Sequence, residues 1–435
     1  MAHLIIKNIG LIKHVDIELK KINVVIGKQE SGKSVICKIA SFCAWVEKAV
    51  SIGKEAELMG EKFKENLERF HCLHEYLDDN SEIIYTSDII SIKYKNSEPT
   101  IELNRANRWS FKRPKIEYIT ADRYVVSECP DWNYPLLDNY LLSFMTNWNN
   151  VRTIYTKNNP LPILDLDAAY YYDKSEQADF IRMQNRQTME LDIASDGLQS
   201  VIPLLALFTA YTERLQEVDQ ITSLLDKVQI ENTIKHVHEN RLRGHTARRY
   251  PEPVDGAIRF LYHYTTAILF ISRENLDIAK QTFDNFVESQ YANIFIEKPE
   301  LNLCPATQRS LTYQLVKGTL NGDHKLFITT NSQYILYALN NCMMGYLVKD
   351  KIPATDREKV SCKDACVNPE DASVWEITDG SMRSIKEEDG LIGNNYFDQI
   401  MQEIMDEFYV MLNYYGNDSD YDSDHDKSPS TSTIM

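Results

Sequence analysis

The sequence predicts an α/β fold with a mixed central sheet, flanking helices and an inserted helical hairpin, and three observations carry that prediction. Residues 22–26 are apolar but for Asn23, as a strand buried on both faces should be, and Gly27 breaks the run just before helical spacing begins at 34–46. Short apolar runs of the same character recur at 116–120, 292–296 and 325–329, separated by helical stretches. Residues 3–9 and 15–19 instead alternate apolar and polar side chains around Gly10, which reads as a hairpin leading into the first buried strand.

The remaining elements follow in chain order. Residues 55–76 form a charged amphipathic helix candidate, and strand-like runs lie at 83–85, 89–94 and 100–103. From 129 to 173 the chain is rich in Tyr, Trp, Asn and Pro without a clean period, so only a helix around 136–148 is assigned. A helix at 198–216 tolerates Pro203 near its start. Residues 217–240 and 257–290 carry helical patterns on either side of an interruption at 241–253, which together read as the inserted hairpin. Strand candidates at 344–348 and 374–377 precede an acidic helix at 396–415. Residues 416–435 are rich in Asp and Ser and poor in large apolar groups, the composition of a disordered acidic tail. The resulting division is a head in two parts, 1–200 and 292–415, interrupted by a helical, coiled-coil-like insertion at 201–291.

A chain of 435 residues is longer than a typical single core, consistent with one domain carrying an insertion. The formal net charge of -17 excludes a surface that coats nucleic acid indiscriminately, although a local basic groove stays open. Of the eight cysteines only Cys362 and Cys366 lie close in sequence, without a second pair or a histidine pair, so neither a zinc site nor a disulfide framework is expected. The reading is one of reduced thiols in a soluble, cytoplasmic protein, since no signal segment and no run of the ~18 apolar residues needed to span a membrane is present.

Three constellations carry chemistry. Gly27, Lys28, Gln29, Glu30, Ser31, Gly32, Lys33 and Ser34 satisfy the phosphate-binding pattern G-x-x-x-x-G-K-[ST] between a buried strand and a helix, the setting of a P-loop NTPase. Successive backbone N–H groups would curl around phosphate oxygens, Lys33 would reach the β and γ phosphates, and the Ser34 hydroxyl would ligate Mg²⁺ beside ATP. Glu297 ends the apolar run in Phe295-Ile296-Glu297-Lys298-Pro299-Glu300, where a neighbouring strand can offer the metal a carboxylate. Ala194-Ser195-Asp196-Gly197-Leu198-Gln199-Ser200 is a small polar turn opening a helix, a second anion site when a hydroxyl and helix N–H groups point outward. Alone, it is also an ordinary helix cap.

In order and style, the P-loop, ASDGLQS, IFIEKPELNLCPATQ and FITTNSQYIL resemble the elements of the SMC, RecF and OLD-like ABC-type ATPases. IEYITADR at 116–123 resembles a further element of that group, and the likeness spans roughly 1–123 and 190–350. The resemblance implies an ABC/SMC-like ATPase head in which the P-loop of one protomer holds ATP while Ser195 and Gly197 of a second, with Gln199 behind them, clamp the γ-phosphate. ATP would then drive a head-to-head dimer or higher homo-oligomer. The chain also resembles the ATPase subunits of antiphage defence systems of the PARIS and Septu type, which implies a sensor or scaffold holding a separate nuclease or toxin effector and triggered by a phage protein or DNA.

Three departures from the family pattern shape the expected activity. Lys298 stands where the pattern has the Glu that positions attacking water, and a cation is a poor general base. Either Glu300 substitutes as the base, or the site holds ATP with little turnover. Asn331 replaces the usual switch His, keeping a hydrogen-bond donor but losing a charge. Glu30 places an acid in the loop, where it weakens phosphate binding unless turned outward. Gln199 and Ile294 stand about a hundred residues apart where the family pattern has a few tens, a surplus that accommodates the insertion, whose apex holds Arg241, Arg243, His245, Arg248 and Arg249. These read equally as a solvated loop or as a contact for nucleic acid or an acidic protein, and 105–115 as a basic hairpin on the head. A RecF-like DNA-repair ATPase and an ATP-gated scaffold are the competing functions.

Overall fold

The structure, a computed structural model, describes residues 2–55, 58–104, 106–128, 138–219, 232–242, 258–262, 266–270 and 273–415. Two compact units divide the chain, Met1–Gly393 and Asn394–Met435. The first begins with β1 (Ala2–Ile9) and β2 (Ile12–Leu19), which pair antiparallel from Ala2↔Leu19 to Ile9↔Ile12, and continues into β3 (Ile22–Gly27), buried at every position. Helix α1 (Lys33–Ser51) follows directly, then α2 (Glu61–His71), β4 (Leu77–Thr86), β5 (Ile90–Lys95), β6 (Glu98–Leu103) and β7 (Pro114–Ile119).

Helix α3 (Tyr140–Arg152) leads to a small sheet of β8 (Leu161–Pro162), β9 (Ala168–Asp173), β10 (Ala178–Met183) and β11 (Thr188–Glu190). Then come α4 (Asp196–Glu213), a hairpin of β12 (Ile258–Tyr262) and β13 (Thr266–Phe270), and α5 (Arg273–Val287). The alternation resumes with β14 (Tyr291–Glu297), α6 (Pro305–Leu320), β15 (Lys325–Thr329), α7 (Gln333–Val348), β16 (Ala372–Thr378) and β17 (Ser381–Ser384). The second unit contains α8 (Tyr396–Leu412), opened by a capping box between Asn395 and Asp398.

The main sheet, among the described residues, has the order β6-β5-β4-β1-β2-β17-β16-β3-β15-β14-β7. Its β16-β3-β15-β14-β7 part is parallel, and β2-β1-β4-β5-β6 is an antiparallel wing. The fold is therefore mixed α/β with flanking helices. Helix α1 buries Ile36, Ile39, Phe42, Val46 and Val50 in one core with Leu4, Ile6, Val25, Phe295 and Phe327 of the sheet. Each such aliphatic or aromatic side chain contributes about 1.5–3 kcal/mol, so this packing anchors the loop that precedes α1.

Several expectations change. Residues 344–348 are the last turns of α7 rather than a strand, since a short apolar run is ambiguous between a strand and a buried helix segment. The stretch 257–290 is not one helix: β12 and β13 pair from Ile258↔Phe270 to Tyr262↔Thr266 before α5 begins. Its β-branched and aromatic residues at alternate positions favour strand pairing over helix. Helix α4, assigned in part to the insertion, is a core helix of the head, with Leu204, Leu205, Leu207 and Phe208 all buried. The second sheet at 161–190 had no clean period to signal it. Residues 220–231 and 243–257 of the expected insertion, and the expected tail at 416–435, lie outside the described residues.

Candidate functional site

The parallel strands β3, β15 and β14 end together, and each releases its chain into a turn that holds candidate site residues. Gly27, at φ 149°, leaves β3 where an added Cβ would lie 2.5 Å from the Ile377 carbonyl oxygen. Gly32, at φ 98°, caps α1 where a Cβ would lie 2.9 Å from Ile12. Both positions thus require glycine, by conformation and by space. Between them Lys28, Gln29 and Glu30 are exposed and Ser31 is half-buried, as is Ser34 beyond them. Glu30 adopts φ 58° within this exposed stretch.

Lys33 is 7% exposed and arches back over the loop. Its Nζ donates to the Gly27 carbonyl at 2.8 Å, the Lys28 carbonyl at 2.5 Å and Ser31 Oγ at 3.4 Å. Burial lowers its pKa to about 8, with the Lys298 charge adding to the lowering and Glu300 opposing it. Lys298 is thus close enough to repel Lys33, so two cations border the loop. This chain places Lys298 immediately after β14 at φ 43°, with its N–H donating to the Thr329 carbonyl at 2.8 Å.

Glu297 ends β14 in register with Thr329 and is 6% exposed. Its Oε1 is buried without a hydrogen-bond partner of normal geometry among the described residues. The Tyr118 hydroxyl lies nearby, its pKa raised first by burial and then by the Glu297 charge. Cys37, in the second turn of α1, feels the same carboxylate. A buried carboxylate whose charge is felt at Tyr118 and at Cys37 of α1 is of the donor type that fits a divalent cation. No three His, Cys, Asp or Glu side chains among the described residues converge as a cage of their own. That is the usual circumstance of Mg²⁺ bound chiefly through phosphate and water.

Glu300 is committed elsewhere. Its Oε2 accepts from Thr330 Oγ1 at 2.8 Å and its Oε1 from the Asn331 N–H at 2.8 Å. The carboxylate therefore clamps the turn after β15, leaving the Asn331 side chain exposed. Ser332 then caps α7 by accepting from the N–H groups of Tyr334 and Ile335.

Ser195 has the backbone of an N-cap for α4, yet its side chain makes no capping hydrogen bond and is exposed. The hydroxyl is thus not consumed by the bland role that the sequence allowed. A Cβ on Gly197 would lie 2.8 Å from the Asn302 carbonyl oxygen, so glycine lets α4 approach the segment after β14. Gln199 braces the turn: its Nε2 donates to the carbonyls of Asp192 at 2.7 Å and Ala194 at 3.0 Å, while its Oε1 accepts from Ser127 Oγ at 3.1 Å. Ile193, just before the turn, is 74% exposed.

Arg123, in the IEYITADR segment, has a role that the sequence does not reveal. Arg123 is fully buried and donates to the carbonyls of Ser200, Thr120, Glu297, Lys298 and Pro299. It ties the first turns of α4 to the end of β14. Burial lowers its pKa to about 10, with Glu300, Glu297 and Asp122 opposing that shift, so it stays cationic at neutral pH. An arginine among short apolar and polar neighbours was the available signal, but its carbonyl partners are long-range.

One arginine from each of the two basic stretches lies over the same ring. The Arg108 guanidinium lies 4.5 Å from the centre of Trp109 and that of Arg241 lies 5.9 Å from it. Arg243, His245, Arg248 and Arg249 lie outside the described residues. No helix among the described residues is long and apolar enough to cross a membrane.

The fold and this site define a P-loop α/β protein. Among solved structures the chain is similar to an SMC head domain from Thermotoga maritima, at 11% identity over 89% of this chain and 98% of that one, with a TM-score of 0.35. It is also similar to the recombination mediator protein RecF, at 10% identity over 88% and 97% of the two chains with a TM-score of 0.30. A nucleotide-free ATP-binding cassette from an ABC transporter matches at 9% identity over 96% and 100%, with a TM-score of 0.26. No family model and no curated protein matches. Likenesses of this degree leave the function to the geometry of the site itself.

Proposed function

We propose that the chain is an ATP-binding ATPase head of the ABC/SMC-like kind that assembles around ATP and turns it over slowly. The carrying observation is the pair of cations at the loop: Lys33 and Lys298 both border the phosphate cradle, where a hydrolytic site needs a carboxylate base. Two positive charges favour a bound triphosphate, whereas neither accepts a proton from attacking water. Each Glu300 oxygen accepts a hydrogen bond from the turn after β15, which supports a positioning role for it over that of the base.

Lys33, the backbone N–H groups of residues 28–34 and the positive end of α1 would receive the phosphates. Ser34 and Glu297 would hold Mg²⁺, which when bound neutralises phosphate charge. The uncapped Ser195 hydroxyl, the α4 N-terminus behind it and exposed Ile193 support a role for this face in meeting the γ-phosphate of a second protomer. ATP is then the cross-link between two copies. In this reading the assembly is a sensor or scaffold in antiphage defence that presents a separate nuclease or toxin effector, and a phage protein or DNA is its trigger.

The test is nucleotide affinity and assembly in the full chain. Lys33→Ala should weaken ATP binding by at least about tenfold, the equivalent of 1.4 kcal/mol, and abolish ATP-dependent self-association seen by light scattering. Unchanged affinity in a folded Lys33→Ala protein overturns the assignment of the loop.

A further inference from the structure

A cavity of about 230 Å³ opens among α1, α2, β7 and α3, and none of the residues assigned to nucleotide or metal lines it. Helical spacing brings Phe42 and Trp45 of α1 to one side of it and Arg69 and Phe70 of α2 to another, while strand alternation gives Ile116 and Tyr118 of β7 a common face. With His71, the last residue of α2, five rings border the space: Phe42, Trp45, Phe70, His71 and Tyr118. Trp45 is 37% exposed, an unusual state for the largest apolar side chain of a core helix.

The rings surround the imidazole edge to face. His71 meets Phe70 at 4.9 Å and 88°, Tyr118 at 5.2 Å and 70°, and Phe42 at 6.4 Å and 82°. The side chain is 1% exposed, yet its Nδ1 has no hydrogen-bond partner among the described residues. A buried polar atom without a bond is costly, and an occupant that supplies one recovers that cost. Burial, and then the Lys38 charge, hold the His71 pKa to about 3, so the ring is neutral at physiological pH and offers one donor and one acceptor. Arg69 in the lining is already paired with Asp138 at 2.8 Å. The chemistry of the walls is therefore aromatic and neutral.

We propose that this cavity binds a neutral, planar heteroaromatic molecule of one or two fused rings, packed among the aromatic side chains and hydrogen-bonded through its ring edge to His71. The volume sets the size, since it lies below the roughly 300 Å³ at which pockets for drug-sized molecules begin. Offset and edge-to-face ring packing sets the shape, and the unused imidazole nitrogen sets the heteroatom. This inference does not rest on the nucleotide reading, because the two sites share no residue.

Benzimidazole, which carries both a ring donor and a ring acceptor, is the probe. Titrated into the full chain and followed by saturation-transfer NMR, it should bind saturably with a Kd of about 1 mM or tighter. Ser143→Phe sets a ring into the lining from an exposed position on α3 and should weaken binding by at least about tenfold. Indene has the same shape without nitrogen, so the ratio of benzimidazole to indene affinity should fall by about tenfold in His71→Phe. Excess ATP with Mg²⁺ should leave the bound probe in place. Absence of saturable binding, equal affinity in Ser143→Phe, displacement by ATP, or tighter binding of benzoate than of benzimidazole would each overturn the proposal. An unchanged ratio in folded His71→Phe would overturn the part given to the imidazole, and Ser143→Phe decides the location if that variant fails to fold.

Discussion

Lys298→Glu perturbs the proposed site at its most unusual position. The Lys33 pKa is lowered to about 8 first by burial and then by the Lys298 charge. Phosphate is attracted by the protonated amine, so ATP affinity should be level near pH 7 and fall by about tenfold per unit once pH passes the Lys33 value. The ratio of the ATP Kd at pH 9 to that at pH 7 should therefore be about tenfold in the native chain. In the variant a repelling neighbour becomes an attracting one while burial, the larger cause, is unchanged, so the inflection moves upward and the ratio should fall below the native value. Taking the ratio within each protein cancels any direct attraction between Lys298 and phosphate. The new carboxylate also supplies the missing base, a change worth about 10²-fold or more in turnover. Calorimetric titration at the two pH values and a phosphate-release assay read both effects. Identical pH ratios together with equal turnover would refute the electrostatic coupling and the claim that Lys298 limits hydrolysis.

Arg123→Lys replaces a guanidinium that serves carbonyls of Thr120, Ser200, Glu297, Lys298 and Pro299 with a group of fewer donors, and should cost about 3 kcal/mol in a denaturant titration. An unchanged midpoint would show that water or rearrangement satisfies those carbonyls. Gly197→Ala sets a Cβ 2.8 Å from the Asn302 carbonyl oxygen, so it should lower stability by about 1–3 kcal/mol and weaken ATP-dependent association; intact association at native stability would dissociate this turn from assembly. His71 is held to about 3 by burial and then by Lys38, so between its ordinary value and that one the unfolded chain binds a proton that the folded chain does not. Stability should fall as pH drops through this window, by about 2 kcal/mol at pH 5, and His71→Phe should flatten the dependence between pH 7 and 5. An equally steep profile in the variant would assign the acid sensitivity to other groups.

The fold was legible where backbone preference and burial agree. Residues 22–26 are apolar but for Asn23 because β3 lies in the interior of the sheet, and the glycine pattern that follows marks the strand-to-helix turn. The apolar run at 344–348 was misleading because burial on a helix and on a strand leave the same local composition. At 258–270 the helical reading lost to strand pairing, where β-branched and aromatic residues at alternate positions outweigh a loose helical spacing. Residues 161–190 offered Tyr-rich segments without a period, since their small sheet presents polar and apolar groups on both faces.

Local chemistry was written in the sequence by itself: which glycines a phosphate loop needs, that Glu297 ends a buried strand, and that Lys298 stands where a base is expected. Tertiary structure alone decided what those residues do to one another. It brought the Lys298 charge within reach of Lys33, turned both oxygens of Glu300 onto the turn after β15, buried Arg123 beneath five carbonyls and gathered Cys362 and Cys366 beside Gly345. The physical reason is range. Propensity and periodicity act over a few residues, whereas charge coupling and hydrogen-bond satisfaction depend on distances that exist only once distant segments have packed.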